Sequence, residues 1–268
     1  MTAPCRRLRR APRATAAAAT AALVLTGVAG WRAHDGAGTA AAATRAPVVW
    51  VQAGHEAPGE PGYRAQTGAG GGPFGSEVAF NRRVRAALIG RLRAAGVDAR
   101  PMPGLVTPWG ARGAVFISMH FDAPGGAAAV GNATAVPGRR ENWYRGEGTG
   151  TASPRPYADS ARHRPSLPVT PGVERASRAL ARRIAGRYAA VYTPASGAGA
   201  RFRGVVPRGG NVRMTHFYGY YRTRATARVL VECGAAGADD RFLARTDLIA
   251  GAVAAGILDH LRARGALR

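Results

Sequence analysis

The hydrophobic runs of this chain are short, and several of them stop at a side chain able to do chemistry. Val48-Val49-Trp50-Val51 leads into Gln52-Ala53-Gly54-His55, Ala114 to Met119 leads into His120, and Arg228-Val229-Leu230-Val231 leads into Glu232. Continuous apolar, partly β-branched runs of this length predict strands buried on both faces, and Asp98 to Met102 is a further strand candidate. Between the first two strands, Val78, Val84, Ala87, Leu88, Leu92 and Ala95 recur at helical spacing, with Ser76 placed as N-cap and Gly96 as the stop. Thr170 to about Tyr192, with Pro171 at the first helical position, and Asp247 to about Arg264 predict two more helices. Segments 56–76, 121–167 and from the second helix to about Arg213 are rich in Gly, Pro and Arg and read as loops.

Strands alternating with helices predict an α/β fold: a single domain whose largely parallel, twisted sheet carries helices on both faces. In such sheets ligands bind beyond the carboxyl ends of the strands, where His55, His120 and Glu232 fall.

The first 44 residues follow a different pattern. Arg6, Arg7, Arg9, Arg10 and Arg13 precede an Ala-rich apolar run, Ala14 to Gly30, and small residues follow at Ala37 to Ala43. This is the layout of a secretory signal, too short and too weakly apolar for a stable bilayer span. The expected division is therefore a leader over 1–44, its cleavage site ambiguous, and one folded domain over 45–268. Arg6-Arg7 is compatible with twin-arginine export, but an Arg-rich start supplies adjacent arginines by chance, so general secretion is the expected route.

Composition refines the picture. All 38 basic residues of the 268 are Arg, set against 15 acidic ones, and 46% of the chain is hydrophobic, which excludes a wholly disordered protein. Residues 45–268 keep 32 Arg and 14 acidic residues, a net charge of +18. A biased genome explains the arginines as readily as a nucleic-acid interface does, and their scatter argues against specific nucleic-acid binding. Outside a cell such charge would favour anionic polymers, whether wall glycopolymers, anionic lipid or stray nucleic acid. Cys5 and Cys233 are too few for a disulfide framework; Cys233 should point into the core from its strand, and a buried thiol makes a poor nucleophile.

His55, Glu77 and His120 are too far apart in sequence for a zinc finger, but two imidazoles and a carboxylate from separate elements would give zinc three ligands and leave a fourth position for water. Glu77 at a helix start sits where the helix dipole favours an anion. Glu232 at a neighbouring strand end could accept a proton from that water. Each residue taken singly also has an ordinary structural explanation; their joint placement is what points to a site.

Four ordered blocks carry a resemblance: Val51-Gln52-Ala53-Gly54-His55, Glu77-Val78-Ala79-Phe80-Asn81, Phe116-Ile117-Ser118-Met119-His120 and Val229-Leu230-Val231-Glu232-Cys233-Gly234. Together they resemble the zinc-dependent N-acetylmuramoyl-L-alanine amidases, over about residues 47–262. The resemblance implies one Zn2+ on His55, Glu77 and His120, a catalytic Glu232, and hydrolysis of the amide between muramic acid and the L-alanine of the peptidoglycan stem peptide. The chain departs from the family in having Glu56-Ala57 in place of a glycine pair, Asp122 in place of an Asn, and a shortened segment at Thr107 to Arg112.

Other residues compete for roles. Glu56 and Glu60 flank His55 as alternative ligands, although neighbours on a strand end rarely aim at one ion. His216 in an aromatic cluster, Trp143 in the long insert and Asp122 are candidate substrate contacts, whereas His163 and His260 read as surface residues. The expected partner is peptidoglycan or its fragments, acted on by a secreted monomer. The alternatives are a zinc peptidase or deacylase acting on another amide, and a non-catalytic wall- or polyanion-binding protein.

Overall fold

The computed structural model describes residues 45–56, 68–69, 74–102, 110–138, 143–145, 154–156, 166–197, 199–208 and 221–268, with backbone alone at 143–145, 154–156 and 194–195. All of these belong to the unit Thr44–Arg268.

The strands are β1 (Val48–Ala53), β2 (Asp98–Met102), β3 (Ala111–Asp122), β4 (Ala128–Ala133), β5 (Trp143–Arg145), β6 (Pro154–Pro156), β7 (Phe202–Arg208) and β8 (Thr223–Ala235). The helices are α1 (Glu77–Ala94), α2 (Pro171–Ala195), α3 (Asp240–Leu243) and α4 (Thr246–Ala263). Six strands form one sheet in the order β2-β1-β3-β8-β4-β7, while β5 and β6 pair separately. The first four run parallel; β4 is antiparallel to β8, and β7 runs parallel to β4. The domain is therefore α/β with a mostly parallel sheet, as the alternation of elements predicts.

Helix starts follow local chemistry. Ser76 Oγ accepts the Ala79 N–H at 3.3 Å and Thr170 Oγ1 accepts the Val173 N–H at 3.3 Å, and Pro171 opens α2 where a missing N–H is harmless. Phe80, Val84, Leu88 and Leu92 of α1, Leu180, Ile184 and Tyr188 of α2, and Ile249, Val253 and Ile257 of α4 all bury against Val49, Val51, Val115, Ile117, Val229 and Val231. Full burial of each larger aliphatic or aromatic side chain is worth about 1.5–3 kcal/mol, so this layer dominates stability.

Three expectations from the sequence need correction. Among the described residues the three long helices share one face of the sheet, with α4 packed between α1 and α2, where helices were expected on both faces. Phe116, Tyr221 and Leu230 form a smaller cluster on the other face. Segments read as loops contribute β4 and β7 to the main sheet and the β5–β6 pair. His260, read as a surface residue, is 3% exposed because it lies on the buried stripe of α4 with Ile249, Val253 and Ile257. Cys233 is buried in the core, as its strand position predicts.

Candidate metal centre

Parallel register brings the ends of three strands together. Gln52 lies beside Ser118, and His120 lies beside Glu232. Directly after the His120–Glu232 pair the register slips, with Asp122 opposite Ala235, so one extra residue of β8 bulges next to the site.

His55 stands on the turn after β1 with φ 60°, in the left-handed region that an L side chain enters at a cost of about 1 kcal/mol or more. It is the one non-glycine residue with positive φ among the described residues. The turn is tied to β3 by the Gly54 N–H, which donates to Met119 O at 2.9 Å. A glycine is required at 54 because an added Cβ would lie 2.1 Å from the His120 ring. The two imidazole rings meet edge to face with centroids 5.0 Å apart.

Glu77, the first residue of α1, is 2% exposed and reaches between the two histidines. Its Oε1 lies 3.0 Å from His120 Nδ1 and 3.4 Å from His55 Nε2. Its Oε2 accepts the Ala69 N–H at 2.7 Å, while Asn81 Nδ2 donates to Gly54 O at 3.1 Å and to Glu77 Oε1 at 3.4 Å. Burial alone would raise the Glu77 pKa; hydrogen bonds and charge from His120 and His55 outweigh it and hold the carboxyl well below its ordinary range.

One donor atom from each of His55, Glu77 and His120 falls within 4.8 Å of the others, so the three could hold a metal ion. Tetrahedral zinc with bonds of about 2.0–2.1 Å separates its ligand atoms by roughly 3.3–3.4 Å. The carboxylate–imidazole separations of 3.0 and 3.4 Å fit that geometry, and the donor set of two nitrogens and one oxygen suits zinc.

Glu232 is 8% exposed, and burial pushes its carboxyl above the usual range, partly offset by His120 and Arg208. Arg208 Nη2 donates to Glu232 Oε1 at 2.9 Å. Arg208 extends from β7 across β4 to do so, over Gly131, where a Cβ would lie 2.5 Å from its Cγ. Sequence reasoning missed Arg208 because its segment was read as loop, and a lone Arg among 38 carries no signal.

The remaining candidates separate clearly. Glu56 pairs with Arg82 and Arg85 on α1 and is thereby turned away from a ligand role. Asp122 stands two residues beyond His120 and bonds the Ala123 N–H at 2.9 Å. His216, His163 and Glu60 lie outside the described residues, as does the side chain of Trp143.

No family model matches this sequence, and no curated protein does. Solved structures match by fold. The N-acetylmuramyl-L-alanine amidase Ami1 from Mycobacterium smegmatis superposes with a TM-score of 0.50 at 18% identity, covering 82% of this chain and 99% of that one. The chain has the amidase fold. The N-acetylmuramoyl-L-alanine amidase AmiC2 of Nostoc punctiforme matches with a TM-score of 0.49 at 15% identity, over 81% of this chain and 97% of that one. The catalytic domain of the amidase CwlV from Bacillus (Paenibacillus) polymyxa var. colistinus gives 0.47 at 17% identity, over 81% and 98%.

Proposed function

We propose that this protein is a zinc-dependent peptidoglycan hydrolase that cleaves the amide between N-acetylmuramic acid and the L-alanine of the stem peptide. The observation that carries the proposal is the His55–Glu77–His120 cluster with Glu232 beside it on the adjacent strand. The shared fold with amidases and the four sequence blocks support the choice of substrate.

A zinc ion held by the three side chains would polarise the scissile carbonyl and lower the pKa of an attacking water. Glu232 takes a proton from that water as the water oxygen bonds to the carbonyl carbon. It then delivers the proton to the nitrogen as the C–N bond breaks, leaving a carboxylic acid on the lactyl group and a free amine on L-alanine. Arg208 keeps the Glu232 carboxylate in place and favours its ionised form. Glu77, bonded through Ala69 and Asn81, holds the two imidazoles at ligand spacing. The amino-terminal leader would export the protein, and the +18 charge of residues 45–268 would hold it near anionic wall polymers. Among the described residues no helix is long and apolar enough to cross a membrane.

The test is digestion of purified peptidoglycan by the full chain, with and without a chelator and beside Glu232→Ala, reading the products by mass spectrometry. Stem peptides with a free L-alanine amine, lost with the chelator and with the variant, are expected. Release of amines elsewhere in the peptide would transfer the protein to another amide substrate.

A further inference from the structure

The parallel register of β1 and β3 sets Gln52 beside Ser118, and His120 follows two residues later on the same face of β3. These three side chains are all buried, at 0%, 0% and 3% exposure, and they form a continuous chain of polar contacts. Ser118 Oγ lies 2.7 Å from Gln52 Oε1 and 3.0 Å from His120 Nε2. The far side of the same ring places Nδ1 3.0 Å from Glu77 Oε1.

The direction of these bonds follows from what each atom can do. Gln52 Oε1 has lone pairs and no proton, so the Ser118 hydroxyl must donate to it. With its one proton committed, Ser118 Oγ can only accept, and the atom facing it is His120 Nε2, which must therefore carry the N–H. With Nε2 held by Ser118, the nitrogen left for a metal is Nδ1, the atom that faces Glu77 and the metal position.

We infer that Gln52 and Ser118 are positioning residues that fix the tautomer and ring orientation of His120, so that Nδ1 is ready to bind the metal. The inference rests on the zinc reading of the site. It assigns the buried Ser118–Gln52 pair a purpose that the fold does not require, since two apolar residues would fill the same positions in a parallel sheet. Outer partners of metal-bound histidines typically contribute 10–100-fold in metal affinity.

The experiment measures zinc affinity of the full chain by competition with a chromophoric chelator, for the parent and for Ser118→Ala, Ser118→Thr, Gln52→Leu, Gln52→Glu and His120→Ala. Ser118→Ala and Gln52→Leu are expected to weaken zinc binding about 10–100-fold. Ser118→Thr keeps the hydroxyl and Gln52→Glu keeps an acceptor, so both should stay near the parent value. Circular dichroism of the metal-free variants checks that the fold is intact, and imidazole 15N shifts of the zinc-loaded protein read which ring nitrogen holds the metal, with Nδ1 bound and Nε2 protonated in the parent and that single form lost in Ser118→Ala. Zinc binding that His120→Ala abolishes but Ser118→Ala and Gln52→Leu leave intact would overturn the inference while sparing the metal site. A parent that binds no zinc, or binds it independently of His120, would overturn the site reading itself.

Discussion

Adding a single methyl group at Gly54 tests the site geometry more sharply than deleting a ligand. A Cβ there would stand 2.1, 2.2 and 2.5 Å from Cε1, Nε2 and Nδ1 of His120, whereas ordinary van der Waals contact begins near 3.4 Å. The ring must therefore retreat by more than 1 Å, or the turn that carries His55 must move by as much. Neither has room, because the His120 ring is bonded on one side to Glu77 and on the other to Ser118. Gly54 does not have a positive φ, so Gly54→Ala adds no backbone strain and its effect is purely steric. Overpacking of this kind costs about 1–3 kcal/mol, which for a domain of this size lowers Tm by roughly 2–12 °C. Zinc affinity should fall to about the level of His120→Ala, since a displacement of that size breaks a bond of about 2.0 Å. The decisive assay is a double-mutant cycle on the metal-free protein. Once His120→Ala has removed the ring, Gly54→Ala should cost almost nothing, so the two changes should be strongly non-additive in thermal denaturation. Additive losses, or parental zinc affinity in Gly54→Ala, would refute the packing argument.

Three further outcomes follow from the same structure. Glu232→Gln should retain zinc in a chelator competition yet lose at least about 100-fold in turnover of peptidoglycan, because it keeps the shape and loses the base. Arg208→Met removes a cation that favours ionised Glu232, so the pKa of that carboxyl should rise further and the acidic limb of the activity profile should move to higher pH; Gly131→Leu, by displacing Arg208, should move it the same way. Burial, reinforced by Arg264 and Arg183, depresses the His260 pKa from 6.5 to about 4. The unfolded chain then takes up a proton that the folded one refuses, so stability is present above pH 6.5 and is lost as pH falls toward 4. Urea unfolding across that range should show a loss of at most about 3 kcal/mol from this group that His260→Gln does not share.

What the sequence made visible depended on how each element buries its surface. β1, β3 and β8 sit in the middle of the sheet, buried by helices on one face and by the cluster of Phe116, Tyr221 and Leu230 on the other, so their apolar runs are continuous and their ends are marked by the polar residues that break them. Those break points are His55, His120 and Glu232, which is why most of the candidate site could be named together with the strands that carry it. α1 was legible for the complementary reason: a single buried stripe, a serine cap and an acidic first residue, the last of which is Glu77.

β4 and β7 lacked such a signature. β4 reads Ala-Ala-Val-Gly-Asn-Ala, with Ala129, Gly131 and Ala133 on one face, a composition without β-propensity that resembles a flexible connection. Its small side chains have a consequence that only the fold exposes. Large residues there would close the path along which Arg208 reaches Glu232, so the feature that hid the strand also permits the ion pair beside the candidate base. β7 was hidden by Gly204, Pro207 and its two arginines, Arg203 and Arg208, tolerable because it is an edge strand with one neighbour. His260 escaped for a different reason: helical spacing identifies the apolar stripe of α4, but a titratable residue on that stripe reads as polar until the packing of α4 against its neighbours shows that it is enclosed. Across all three, the residues that sequence reasoning missed act across elements distant in the chain, whereas those it found were each announced by the end of their own strand or the start of their own helix.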